Sequence, residues 1–330
     1  MKRMFLLALF CLAVLLTAPF LGSTSIDVRG ALFDFLHGVH SPRAQILLLR
    51  APRILLGLLA GGSLAVAGAV FQTLLRNDLA TPYTLGVSFA GALGAFLALS
   101  VPGLAFAIGP LSSVTLFAFV FAVIDVGVLY LLSRRGRNLD TNELLLAGVT
   151  LNFFFGAAIL LLRFLSDPFR LRAMDHWMMG GLAVGGMSSL APLPVVLLPA
   201  LLLVALQAGA LDQLAFGEEL ASSRGVEVES SQTICLLSAS ALTAVVVAVT
   251  GPIGFVGLLA PHAARRVLGP AHRRLLAGSF LLGGGFLVLA DSITRSIALA
   301  GRGAELPVGV LTAIVGAPLF LVLLLKARGR

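Results

Sequence analysis

The apolar residues of this chain come in runs of about 18 or more, parted by short polar islands. That is the length a helix needs to cross a hydrocarbon core of ~30 Å. Lipid is then the solvent, and backbone groups in lipid have to be satisfied within each crossing segment. The pattern predicts an all-α, polytopic membrane helical bundle of about ten transmembrane helices. The expected spans are residues 4–21, 54–75, 85–101, 107–132, 142–165, 191–207, 231–250, 253–264, 275–298 and 307–326. The eighth, GPIGFVGLLAPH, is short and broken by Gly and Pro, so its neighbours have to shield it. Only 12% of residues are charged, against roughly 25% in a soluble domain. No linker or low-complexity tract intervenes, and residues 1–330 read as one transmembrane domain.

A formal net charge of +8 raises nucleic acid as a partner, but the 23 Lys and Arg sit at the ends of apolar runs. That distribution sets membrane orientation and argues against nucleic-acid binding. With both termini cytoplasmic, the inner side collects Lys2, Arg3, Arg76, Arg134, Arg135, Arg137, Arg224, Arg265, Arg266, Arg273, Arg274, Lys326, Arg328 and Arg330. Removing the eighth span would send the last three outside, so the charge rule favours ten. The N-terminal MKRMFLLALFCLAVLLTAPF has the basic start of a signal peptide but no convincing A-x-A site, and it reads as an uncleaved first helix. Cys11 and Cys235 lie inside apolar runs and read as small buried hydrophobes.

Several polar strings carry candidate function. RAPR, Arg50 to Arg53, falls in the first loop at the outer mouth of the second span, against the inside rule. Its forked guanidiniums suit a carboxylate partner. Between Gly61 and Ala95 a helix ends in a polar turn at the inner face, with Gln72 in the span and Asn77 and Leu79 in the turn. The inner loop LDQLAFGEELASSRGVEVE, residues 211–229, carries Asp212, Glu218, Glu219, Glu227 and Glu229 and reads as a short helix followed by a turn at Gly225. The lysines are Lys2 and Lys326 alone, so no phosphate-binding G-x-x-x-x-G-K-[ST] loop exists, and nucleotide-driven work has to come from a docked partner.

Asp291 and Arg295 stand four apart on one helix face, where an ion pair is feasible. Asp125, alone in the fourth span, has no evident role. His262 follows Pro261 near an inner helix end, and His37, His40, His176 and His272 are expected in loops. None pairs with metal-ligand spacing on a common helix face, so no metal or cofactor is expected. No nucleophile-base-acid constellation stands out, and the chain reads as no enzyme. A secondary transporter or channel would need ion-coordinating polar groups in broken helices at mid-membrane, for which only Gln72 and Asp125 offer themselves. A purely structural or sensory subunit is a third reading.

Taken in order, RAPR, the RN-x-LA-x-P-x-x-LGV turn at residues 76–87, LLLAGV at 144–149, WMMGGL at 177–182, LAFGEELASSRGV, GPIGFVGLLAPHAAR and ELPVGVLTAIVGAPLF resemble the FecCD-type permeases. These are membrane subunits of type II ABC importers for iron complexes and cobalamin. The resemblance covers nearly the whole chain. It implies a homodimer in the cell inner membrane, two cytoplasmic ATP-binding-cassette ATPase subunits that hydrolyse the ATP, and a substrate-binding protein at the outer face. The cargo would be a ferric siderophore, haem or a corrinoid. Carried over by position, Arg50, Arg53 and Arg295 correspond to residues engaging acids on the binding protein, and Asn77 and Leu79 to part of the inner gate. Gly217, Glu218, Glu219, Leu220, Ala221, Arg224 and Gly225 correspond to the helix that couples to the ATPase. The chain departs from the usual RNPLA with RNDLA, placing Asp78 where the family has proline, which implies a looser turn with an added acid.

Overall fold

The structure, a computed structural model, describes residues 2–22, 27–39, 41–135, 138–297 and 305–328. His40, Arg137 and Arg330 lie outside the described residues. In chain order the helices are α1 (Lys2–Thr17), α2 (Val28–Leu36), α3 (Pro42–Leu74), α4 (Val87–Ser100), α5 (Ser113–Ser133), α6 (Thr141–Leu165) and α7 (Pro168–Met178). They continue with α8 (Leu193–Leu206), α9 (Ala208–Leu214), α10 (Glu218–Ser223), α11 (Val228–Thr250), α12 (Val256–Leu268), α13 (His272–Ser296) and α14 (Val308–Arg328). Two minimal antiparallel hairpins, β1 (Ala107–Ile108) with β2 (Leu111–Ser112) and β3 (Arg134–Arg135) with β4 (Asn138–Leu139), flank α5.

Seven helical stretches among the described residues are long and apolar enough to cross a membrane. The shorter α4, α12 and α14 bring the membrane set to about ten. The sequence misplaces some boundaries. The fourth span starts at Ser113 and not at 107, because Gly109, at φ 58, turns the preceding residues into a hairpin. Ser112 Oγ then accepts from the Thr115 backbone N–H at 3.1 Å and caps α5. RAPR lies inside a helix, since α3 runs for 33 residues with Pro52 within it. At 1.5 Å per residue α3 is about 50 Å long, so its first turns stand beyond a ~30 Å core. An additional helix, α7, fills the outer loop between α6 and α8 and includes His176. His272 opens α13, and the 211–229 loop holds two short helices broken at Gly217, where φ is 117.

The centre of the bundle is α3, α11 and α13, each buried over most of its length. In lipid, helices associate through close packing of small residues. The α3–α13 pair does so antiparallel: a Cβ on Gly61 would lie 2.3 Å from the Gly283 carbonyl oxygen, and one on Gly283 would lie 2.4 Å from that of Gly61. The short α12 is held the same way, with Gly68 of α3 against Gly257. It follows an unwound segment in which Gly251 and Phe255 both have φ 68. The outer helices keep apolar side chains exposed, among them Phe153 and Phe164 of α6 and Leu131 of α5. These face lipid or another subunit.

Candidate functional site

Where the first half of α3 meets the last turns of α13, three guanidiniums gather around two carboxylates. Arg53 closes its fork on Asp291, with Nε 3.0 Å from each carboxylate oxygen and Nη2 2.8 Å from Oδ1. Its Nη1 donates to Glu305 Oε2 at 2.6 Å. Arg295 approaches Asp291 from one turn along α13, Nε to Oδ2 at 2.9 Å. The ion pair expected from that spacing forms. Arg295 also donates to the carbonyls of Leu21 and Ala18 at 3.1 and 3.3 Å, and Arg50 donates to that of Pro19 at 2.7 Å. Both therefore pin the segment after α1 to the central pair.

The three arginines named from sequence thus share one cluster but differ in exposure. Arg295 and Asp291 are 4% and 1% exposed, Arg50 is buried, and the Arg53–Glu305 pair reaches the surface. Nothing in local spacing points to Asp291 and Glu305 as partners of Arg53, because both lie more than two hundred residues away.

At the opposite end, α3 stops at Leu74 and the chain turns with Arg76 at φ 45. Asn77 Oδ1 accepts from the Leu79 backbone N–H at 2.9 Å, a side-chain turn of the kind Asn favours. Leu79 is left exposed. Asp78 pairs with Arg265 of α12 at 2.7 Å. Asp78 is 68% exposed, so this pair contributes little to holding the turn.

Below it, α10 is bounded by two left-handed glycines, Gly217 and Gly225. Ala221 is its buried anchor, while Glu219 and Leu220 face out beside the exposed Phe216. Glu218 accepts from Gln232 Nε2 at 3.0 Å and stands 4.0 Å from Arg76. Arg224 donates to Gln213 Oε1 at 2.6 Å, bracing α10 on α9. A cleft of about 840 Å³ opens between this helix, the turn at Arg76 and the start of α6.

Asp125 is fully buried in α5, and neither of its carboxylate oxygens has a hydrogen-bond partner among the described residues. It faces Gly86, where a Cβ would lie 3.0 Å from Oδ1. Gly86 is the N-cap of α4 and supplies no side-chain cap. The carboxylate accordingly faces the positive end of that helix. No group of three or more His, Cys, Asp or Glu with metal-binding geometry occurs among the described residues.

A multi-helix membrane bundle with a charged cluster at one end, a polar turn and an exposed short helix at the other, and no nucleotide-binding loop has the architecture of a transporter's permease subunit. The chain belongs to the FecCD transport family, whose model matches residues 6–326. It is an ABC importer permease. It is 37% identical to the hemin transport system permease protein of Yersinia pestis, over 96% of this chain and 95% of that one. It is 40% identical to the cobalamin import system permease protein of Halobacterium salinarum, over 85% of this chain and 74% of the relative. It also resembles a solved structure described as an inward-facing conformation of a metal-chelate type ABC transporter. The TM-score is 0.83 at 30% identity, covering 98% of this chain and 99% of the other.

Proposed function

We propose that this chain forms a homodimeric permease in the cell inner membrane, with both termini cytoplasmic, and that it translocates an iron complex, haem or a ferric siderophore. The observation that carries the reading is the pairing of two unlike faces on one rigid pair of helices. Outside, Arg53, shared between buried Asp291 and exposed Glu305, suits acidic residues of a substrate-binding protein. Inside, Leu220 of α10 and Phe216 just before it are offered for insertion into an ATPase subunit, beside the turn holding Asn77 and Leu79. ATP binding and hydrolysis in the partner would shift a two-state equilibrium of the axial pathway. Relatives for hemin and for cobalamin stand at comparable identity, which fits selection of cargo by the binding protein. The deciding experiment is ATP-dependent uptake into proteoliposomes holding permease, ATPase and binding protein. Haem or ferric-siderophore uptake is expected, cobalamin uptake would move the assignment to a corrinoid, and partner-independent flux would sink it in favour of a secondary transporter.

Docking gives a sharper test through opposite signs. Arg53→Gln is expected to weaken binding-protein affinity about tenfold, since one charged hydrogen bond of ~1.5 kcal/mol is worth that factor. Glu305→Gln removes the acid competing for the same guanidinium and should strengthen docking. Surface plasmon resonance on the detergent-solubilised permease reads both. Equal losses in the two variants would point to damage and not to recognition.

A further inference from the structure

On the inner face a buried relay joins three helices. Asp212 of α9 places Oδ1 2.8 Å from the backbone N of His272 and 2.7 Å from its ring Nδ1. The opposite ring nitrogen, Nε2, lies 2.8 Å from Thr73 Oγ1 in the last turn of α3. Thr73 Oγ1 in turn lies 2.9 Å from the Ala69 carbonyl. The ring and the hydroxyl are buried and the acid is half-buried, and all three residues line a cavity of about 500 Å³ together with Arg76, Asp78, Phe216 and Arg265.

The proton count is tightly constrained. Thr73 has a single hydroxyl proton, for either the Ala69 carbonyl or Nε2. In the first case Nε2–H donates to Thr73 and the ring is an imidazolium held against Asp212. In the second the ring is neutral, with its proton on Nδ1. In both, Asp212 accepts two hydrogen bonds from His272, one of them from the first residue of α13, whose N-cap Ala271 has no side-chain cap. The carboxylate thus also stabilises the positive end of that helix.

Position gives the relay its meaning. Asp212 precedes Gly217 and α10 by a short stretch of chain, and Thr73 stands equally near Arg76, Asn77 and Leu79. A second connection between these segments, Arg76 to Glu218, spans 4.0 Å between side chains that both reach solvent, and such pairs contribute little. An aromatic ring bonded at both nitrogens acts as a rigid strut. We infer that Asp212, His272 and Thr73 form the link that carries displacement of the ATPase-docking segment to the inner turn, with His272 as the positioning residue. This rests on the proposed roles of α10 and of the turn.

The test is the transport-to-hydrolysis ratio of the complete complex in proteoliposomes, with radiolabelled haem and cobalamin run in parallel as probes. His272→Gln keeps bulk but bonds only one side. It is expected to leave ATP hydrolysis within twofold while uptake per ATP falls at least tenfold. Thr73→Val should do the same, and Thr73→Ser should restore the ratio, which a merely structural role for the methyl-bearing side chain would not allow. An unchanged ratio in His272→Gln and Thr73→Val, with ATPase still co-purifying, overturns the relay. Leu220→Asp separates the two readings: it should abolish ATPase co-purification. If it does not, α10 is not the docking segment and the relay falls with it.

Discussion

Replacing Asp291 by alanine is expected to destabilise the permease by roughly 3–5 kcal/mol, the usual cost of leaving buried charge without its partner. The size follows from the number of groups stranded. One carboxylate that is 1% exposed holds the fork of Arg53 and the Nε of Arg295, and no water reaches it to take its place. Asp291→Asn keeps an acceptor oxygen and should cost less. Glu305→Gln, at the exposed rim of the same cluster, should cost under about 1 kcal/mol. Thermal unfolding of the purified protein in detergent orders the three. A melting temperature for Asp291→Ala equal to that of Glu305→Gln would show that the outer cluster is a surface decoration.

The second large effect comes from backbone contact. A Cβ on Gly68 would sit 1.8 Å from the Gly257 carbonyl oxygen, and there is no flexible side chain to yield. Gly68→Ala therefore has to push α12 off α3, at about 3 kcal/mol, the upper end of overpacking costs. The effect should reach the Asp78–Arg265 pair as well, because Arg265 is on the displaced helix. Gly127→Ala on α5 supplies the control: nothing lies within 4 Å of its added Cβ, and helix propensity favours alanine by about 1 kcal/mol. Opposite shifts in unfolding temperature are expected, and a neutral Gly68→Ala would mean that the helices slide freely.

The membrane bundle is legible in the sequence because lipid imposes a minimum run length that few other environments require. The Asp291–Arg295 pair is legible for a similar reason: a separation of four places both on one helix face. Where reading fails, the cause is long range or masked by composition. The hairpin at 107–112 is mostly apolar, and its mark is the Gly109–Pro110 turn. Arg53 belongs with Asp291 through a contact spanning 238 residues. His272, expected in a loop, opens a helix and is bonded at both ring nitrogens by residues from two others. The inner turn and the short helix after Gly217 stand out by motif, but the residues that tie them to the bundle do not. Cargo is not legible at all, since permeases for hemin and cobalamin share this chain's pattern to a similar degree.

The glycine seam between α3 and α13 has a mechanical consequence. Gly61 and Gly283 interlock backbone to backbone, so neither helix can slip lengthwise past the other without collision. The easy motion left to the pair is to rock as one beam about a fulcrum near that contact. α13 has 25 residues and is about 37 Å long. A tilt of about 8° moves each of its ends by ~2.5 Å in opposite directions. The two ends are the outer arginine cluster and His272. A push on one membrane face is thereby felt on the other as a swing of known sense, with little of the stroke lost in between.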